Sequence, residues 1–218
     1  MATVERPLRK DAERNRRRIL DAAAELFTER GLGVTLNDIA HHADVGVGTV
    51  YRRYPNKELL IDALFEERVG EFVVLAEECL TDTDPWRGLV SFLARGLELQ
   101  ARDKGLKQLL LGTPEGCARV CCMRESILPL ADALVVRARD AGVLRADIEP
   151  EDLPVIQWML GAVLDHAGEQ RPELWRRYLE LVLRGLRADS PAPAPLPVAA
   201  LSRAELDALI ASGALAKH

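Results

Sequence analysis

The chain of 218 residues is 48% hydrophobic but only 5% aromatic, and its net charge is −5 at neutral pH. Such a length buries one large or two small cores, and richness in Ala, Leu, Glu and Arg favours helix, so the expected class is all-α. No uninterrupted apolar run approaches the ~20 residues that span a bilayer, the opening MATVERPLRKDAERNRRR has no signal-peptide core, and Cys79, Cys117, Cys121 and Cys122 lack paired C-x-x-C spacing, so a cytoplasmic protein with free thiols, no membrane contact and no structural zinc is expected.

Charge is unevenly spread. Residues 1–57 hold 11 Lys+Arg against 8 Asp+Glu, a net +3, and the remaining residues therefore carry −8. A basic front joined to an acidic body orients a protein on a polyanion. Taken alone, Arg14, Arg16, Arg17 and Arg18 read more readily as a solvated helix start. From about Asp11 to Arg30, Ile19, Leu20, Ala23, Leu26 and Phe27 recur at helical spacing, and Gly31 closes the segment as a helix C-terminal glycine does. Thr35 caps a second helix, with Asp38 completing a T-x-x-D capping box before Ile39, Ala40 and Ala43. Asp44-Val45-Gly46 is a tight turn, after which Val47, Val50, Tyr51 and Tyr54 stripe a third short helix.

Helices shorter than ~12 residues are marginal in water, so the second and third must pack on the first and on each other. The arrangement is a helix-turn-helix, which holds one short helix proud of the surface so that it enters the major groove. Ala40 lets the two axes approach, Val45 plugs the corner and Val50 anchors the second helix from beneath. Gly48 and Thr49 keep its leading end slim and polar.

The run VTLNDIAHHADVGVGTVYRRYPNKELLIDAL resembles the amino-terminal DNA-binding domain of the TetR family of bacterial transcriptional regulators. The matching elements are T-x-x-D-I-A, Ala43-x-Val45, Gly48-Thr49-Val50-Tyr51, the aromatic Tyr54 and Lys57-Glu58-x-Leu60, within about residues 14–64. Beyond them only length, helicity and acidic character agree. The resemblance implies phosphate contacts from Thr35, Thr49, Tyr51 and Lys57, with Arg53 a fifth, and base-edge contacts from Val47, Gly48 and Arg52. Independently, Lys57 opens a long fourth helix, where free amides also favour an anion, and Arg can grip guanine bidentately. Tyr51 is equally readable as core, whereas Tyr54 is expected to be buried. Two positions depart from the family pattern: Asp44 stands where the turn usually has Gly, and Gly46 where the N-cap usually has Ser or Thr.

The fourth helix should run from Lys57 to Leu80 and carry Phe65, Phe72 and Leu75 into the body. Asp84-Pro85 starts a fifth helix, to about Arg102. Lys104 to Leu111 form a sixth, and Thr113-Pro114 open a seventh, to Ala141 before Gly142, with a kink at Pro129. Pro150 and Pro154 frame the eighth, to about Gly168, and Pro172 opens the ninth, to about Leu186. The ninth is apolar on two sides, Leu174, Tyr178, Leu181 and Val182 on one and Trp175, Leu179, Leu183 and Leu186 on the other, so one side needs cover from beyond its own core. By the resemblance, helices 8 and 9 form a homodimer interface that presents two heads to a palindromic operator on double-stranded DNA.

The chain thus divides into a helix-turn-helix domain with a basic arm at 1–56, a helical ligand-binding and dimerisation domain at 57–188, and a tail at 189–218, some nine helices in all. In the tail, SPAPAPLPVAA reads as a linker, and Ser202 with Glu205 caps a short helix for which disorder is favoured over docking on the body or on a partner. No catalytic motif or cofactor signature is present, and adjacent His41 and His42 diverge by about 100°, which suits a metal poorly. A regulator rather than an enzyme is expected, with a small-molecule effector near Phe72, Trp86, Cys121, Met123, Trp158 and Met159. The alternatives are a ligand-independent regulator and a thiol- or metal-responsive one. Cys117 and Cys121 share a helix face, but only Arg119 and Arg124 lie near enough in sequence to activate a thiolate, so core packing is preferred for them.

Overall fold

The computed structural model describes residues 5–102, 114–167, 171–188 and 198–211, with side chains described over these ranges except at 5–10, 32, 102, 114–124 and 209–211. Among the described residues there are nine α-helices and no strand: α1 Glu5–Arg30, α2 Leu36–His42, α3 Val47–Arg53, α4 Lys57–Leu80, α5 Pro85–Arg102, α6 Pro114–Asp140, α7 Asp152–Ala167, α8 Leu174–Leu186 and α9 Arg203–Ala211. The expected all-α class holds. Helices α6, α7 and α8 are the seventh, eighth and ninth of the sequence reading, and the sixth, Lys104–Leu111, lies outside the described residues, as does most of the linker. The first helix begins at Glu5 rather than Asp11. Pro7 does not prevent this, because proline in a first turn removes no helical hydrogen bond. Gly31, at φ +66°, ends α1 in the left-handed conformation that glycine adopts without strain.

Two hydrophobic cores share α4. The head core joins Ile19, Leu26 and Phe27 of α1, Ile39 and Ala40 of α2, Val50 of α3 and Leu60, Leu64 and Phe65 of α4. The body core takes Leu75, Ala76 and Cys79 from α4, together with Leu89, Leu93 and Leu97 of α5, Leu134 and Ala138 of α6, Leu160 of α7 and Trp175, Leu179 and Leu183 of α8. Phe65 therefore packs in the head and not in the body, and the head core reaches past residue 56 into α4. Between the cores, residues 66–74 of α4 include no buried side chain.

The α4–α5 corner fixes how the two helices cross. A Cβ at Gly88 would stand 2.5 Å from the Cys79 carbonyl oxygen, so only glycine allows this approach. Asp84 caps α5, accepting from the Trp86 and Arg87 amides at 2.9 and 3.2 Å. Asp82 grips Arg87 in a two-point pair at 2.7 Å, which holds its carboxyl down at about 2. Arg137 of α6 donates to the Leu80 and Asp82 carbonyls, fastening the third helix to the same corner. Beyond it, α6 continues through Pro129.

The tail helix is docked, not disordered. Ser202 and Glu205 form the expected reciprocal cap, Arg203 reaches Asp132 of α6 at 2.6 Å and Glu151 at 3.2 Å, and Leu206 is 0% exposed. The pairing could not be read from sequence because Asp132 lies 71 residues from Arg203. Burial pushes the Asp132 carboxyl up while the Arg203 charge opposes it, so the pair needs the ionised acid. Leu206→Ala should destabilise the docked helix by ~1–3 kcal/mol, the loss being capped by local undocking. Amide exchange over 203–211 should then rise while α5 to α8 keep their protection; unchanged exchange would show that Leu206 does not hold the tail.

Candidate nucleic-acid interface

Helix α2 begins with a complete capping box. The Thr35 hydroxyl accepts from the Asp38 amide at 3.2 Å, and the Asp38 carboxylate accepts from the Thr35 amide at 2.9 Å and its hydroxyl at 2.6 Å. These bonds hold the Asp38 carboxyl below its usual range. They also commit the Thr35 hydroxyl, which would reach a phosphate only by leaving Asp38.

The turn explains one departure from the family pattern. Asp44 has φ +49°, the left-handed conformation that Asp tolerates better than most residues. Arg18 of α1 donates to both the Asp44 carbonyl and its carboxylate, at 3.0 and 2.9 Å. The basic run on α1 is thus partly spent within the protein: Arg14 pairs with Asp11, Arg16 with Glu13 and Glu67, and Arg18 with Asp44. Sequence reasoning missed the Arg18 contact, which spans 26 residues and leaves no local signature. Gly46 caps α3 with no side chain, its carbonyl accepting from Thr49 and Val50 at 2.8 and 3.2 Å.

Helix α3 divides cleanly. Val50 and Tyr54 are buried at 0% and 5% exposure, whereas Tyr51 is 44% exposed, which resolves its open reading against core packing. Gly48, Arg52 and Arg53 are exposed and Thr49 is half-buried. Val47 packs partly on the head core and offers only one edge outward. A Cβ at Gly48 would meet nothing within 4 Å, so the fold itself does not demand glycine there. Lys57 opens α4, half-buried, with its ammonium 3.5 Å from the Val34 carbonyl beside Thr35, while Asn56 caps the helix by accepting from Leu59 at 2.9 Å. The starts of α2 and α4 therefore meet, and the eight expected contact residues fall on α3 or on these two starts.

Of the six residues expected around an effector, the side chains of Phe72, Trp86, Trp158 and Met159 are described. Phe72 is half-buried on α4, Trp86 lies at the start of α5 with the Arg187 guanidinium 5.3 Å from its ring, and Trp158 is half-buried on α7. Met159 is 51% exposed and faces away from the core, because α7 carries apolar residues around most of its circumference and only one side can turn inward. The side chains of Cys117, Cys121, Cys122 and Met123 lie outside the described residues. A groove of about 590 Å³ opens between α4 and α5, lined by Gly70, Glu71, Val74, Leu75, Arg95, Glu98 and Leu99, none of them among the six. Among the described residues no cluster of His, Cys, Asp or Glu could hold a metal ion, and no helix is long and apolar enough to cross a membrane.

Both halves of the chain match known families. Residues 19–64 match the bacterial regulatory proteins of the tetR family, and residues 84–188 the C-terminal domain of SbtR-like transcriptional regulators. An HTH-type transcriptional regulator of Staphylococcus aureus is 34% identical over 89 residues, 39% of this chain and 46% of that protein, so the chain spans less than half the length of this curated relative. SmeT, the repressor of the Stenotrophomonas maltophilia multidrug efflux pump SmeDEF, aligns at 26% identity over 84% of this chain and 97% of its own, with a TM-score of 0.61. The TetR transcription regulatory protein from Mycobacterium vanbaalenii aligns at 31% identity over 83% of this chain and 99% of its own, with a TM-score of 0.66. Because that alignment carries the body as well as the head, the likeness is not confined to a borrowed DNA-binding module, and the chain belongs to the TetR family of bacterial transcriptional regulators, which are not enzymes.

Proposed function

We propose that this DNA-binding regulator is a homodimeric cytoplasmic repressor that leaves a palindromic operator when a small, largely apolar ligand enters its body. The observation that carries the reading is α4, one continuous rod with its first half in the head core and its last turns in the body core. Two heads must fit successive major grooves about 34–36 Å apart, so a small rotation of each rod spoils the fit while both heads stay folded. The likeness to SmeT supports repression. Cys79 gives thiol sensing no support, since it is buried and burial pushes its thiol up, away from the reactive thiolate.

Dimerisation is assigned to α7 and α8. Val155 and Met159 of α7 and Tyr178 and Leu181 of α8 are 38%, 51%, 42% and 51% exposed, large apolar side chains on two helices that pack against each other. In this reading Met159 serves the dimer and not the ligand. On the head, Val47, Gly48 and Arg52 face base edges, and Thr35, Thr49, Tyr51, Arg53 and Lys57 face phosphates.

Gly48→Ala separates fold from function. With open space around a new Cβ, it should stabilise α3 by ~0.5–1 kcal/mol, yet weaken operator binding by crowding a base edge. A variant that is more stable and binds DNA as tightly as wild type would remove Gly48 from the interface. The mechanism itself is tested by operator affinity against a panel of hydrophobic and cationic compounds, with mass measured in solution. A coupling of ~1–3 kcal/mol weakens DNA binding about 5- to 150-fold. A tightly binding monomer, or a dimer that no compound affects, leaves the ligand-independent regulator standing.

A further inference from the structure

Along α7, Leu153, Leu160 and Leu164 turn inward at 3%, 0% and 5% exposure, and Gln157 interrupts that leucine face at 8%. It is the one buried polar residue among those described. Its Oε1 is sealed from solvent and has no hydrogen-bond partner. Leucine at this position would continue the face and leave nothing unpaired, whereas a buried amide oxygen without a donor weakens the fold.

A second unfavourable choice meets the first. Gly96 sits inside α5, where glycine is poorer than alanine, and a Cβ there would stand 2.9 Å from Gln157 Nε2 and 3.4 Å from Phe72 Cε1. Three helices, α4, α5 and α7, thus meet around one amide whose acceptor is unmatched. Local concessions that converge on one point mark functional positions more often than accidents of packing.

We propose that Gln157 is the polar anchor of the ligand site, recognising a mostly apolar molecule through a single hydroxyl or N–H donor presented to its Oε1. The inference rests on the ligand-release reading above and names the chemical class the site accepts. A hydrocarbon or an ether has no donor and leaves the amide oxygen unmatched; an alcohol or phenol of the same size satisfies it. Phe72 is the link to the head: it lies on α4 within the unburied stretch 66–74, ~22 Å along the helix from Lys57 at about 1.5 Å per residue. A ligand seated against Gln157 bears directly on the rod that holds the DNA-facing lysine.

Isomeric probes isolate the donor. 1-Octanol and heptyl methyl ether have the same atoms, as do 4-propylphenol and 4-ethylanisole, and only the first of each pair donates. The full-length dimer should bind the donating isomer about 10- to 100-fold more tightly, by calorimetry and by operator release. Gln157→Leu should narrow that preference to about threefold or less and raise Tm by about 2–8 °C. Gln157→Met, unbranched and close in length, guards against a leucine that packs badly. Equal binding of both isomers by wild type, or a preference that survives both substitutions, overturns the anchor while operator release by either isomer keeps the sensor reading intact. If no probe binds or releases DNA, both readings fall.

Discussion

Leu181→Glu should yield a folded monomer whose operator affinity is about 10²–10⁴-fold below that of wild type. Leu181 is 51% exposed within the protomer, so the substitution costs the isolated fold little, typically within ~0.5 kcal/mol. In a two-fold interface each change occurs twice, and a carboxylate buried there without a partner costs ~3–5 kcal/mol. The monomer still carries one intact head, so it should retain weak, salt-sensitive binding to half-sites. Light scattering and operator titration read both effects together. A variant that remains dimeric with full affinity would move the interface off α8, and Met159→Glu would then ask the same question of α7.

The second large effect separates positioning from reading. Lys57→Ala should weaken binding to operator and to random duplex alike, and lower the slope of log affinity against log salt by about one unit per head. Arg52→Ala should hardly change random-duplex binding but lose ~1–3 kcal/mol of base discrimination per half-site, since a bidentate Arg contact specifies guanine while a phosphate contact only sets register. Arg52 is exposed on α3, so Arg52→Ala should leave melting unchanged, whereas Lys57 is half-buried with its ammonium 3.5 Å from the Val34 carbonyl, so Lys57→Ala should lower melting slightly. Equal loss of specificity from both would contradict the assigned roles. Competition titrations at several salt concentrations give the answer directly.

The ends of the early helices were legible because their signals are local. Thr35 with Asp38, Asp84 with Pro85 and Gly31 each announce a helix end within a few residues, and α4 begins and ends where its pattern said. The two departures at Asp44 and Gly46 were visible as well, but their resolution was not: Arg18 holds the Asp44 turn from another helix. In the body, periodicity identified the helices without saying which apolar face turns inward. Met159 and Trp175 both sit in amphipathic patterns, yet one is exposed and the other buried, because the choice depends on which neighbour covers each side. The tail was misjudged for the same reason, Leu206 finding cover that a nine-residue helix cannot supply itself. Gln157 could have been singled out from sequence alone, as the polar residue at i+4 from Leu153 and i−3 from Leu160.

The unburied stretch of α4 bears on cooperativity. Residues 66–74 carry no buried side chain and the head and body cores are separate clusters on either side of them, so each core should melt with its own midpoint. Operator DNA, which touches only the head, should raise the head transition, and an effector should raise that of the body, each by mass action. Hydrogen exchange would separate the two units by protection, with the amides of 66–74 following whichever core opens first. The free energy that passes between ligand and DNA is then measurable without any kinetic assay, as the amount by which effector shifts the melting of a core it never contacts.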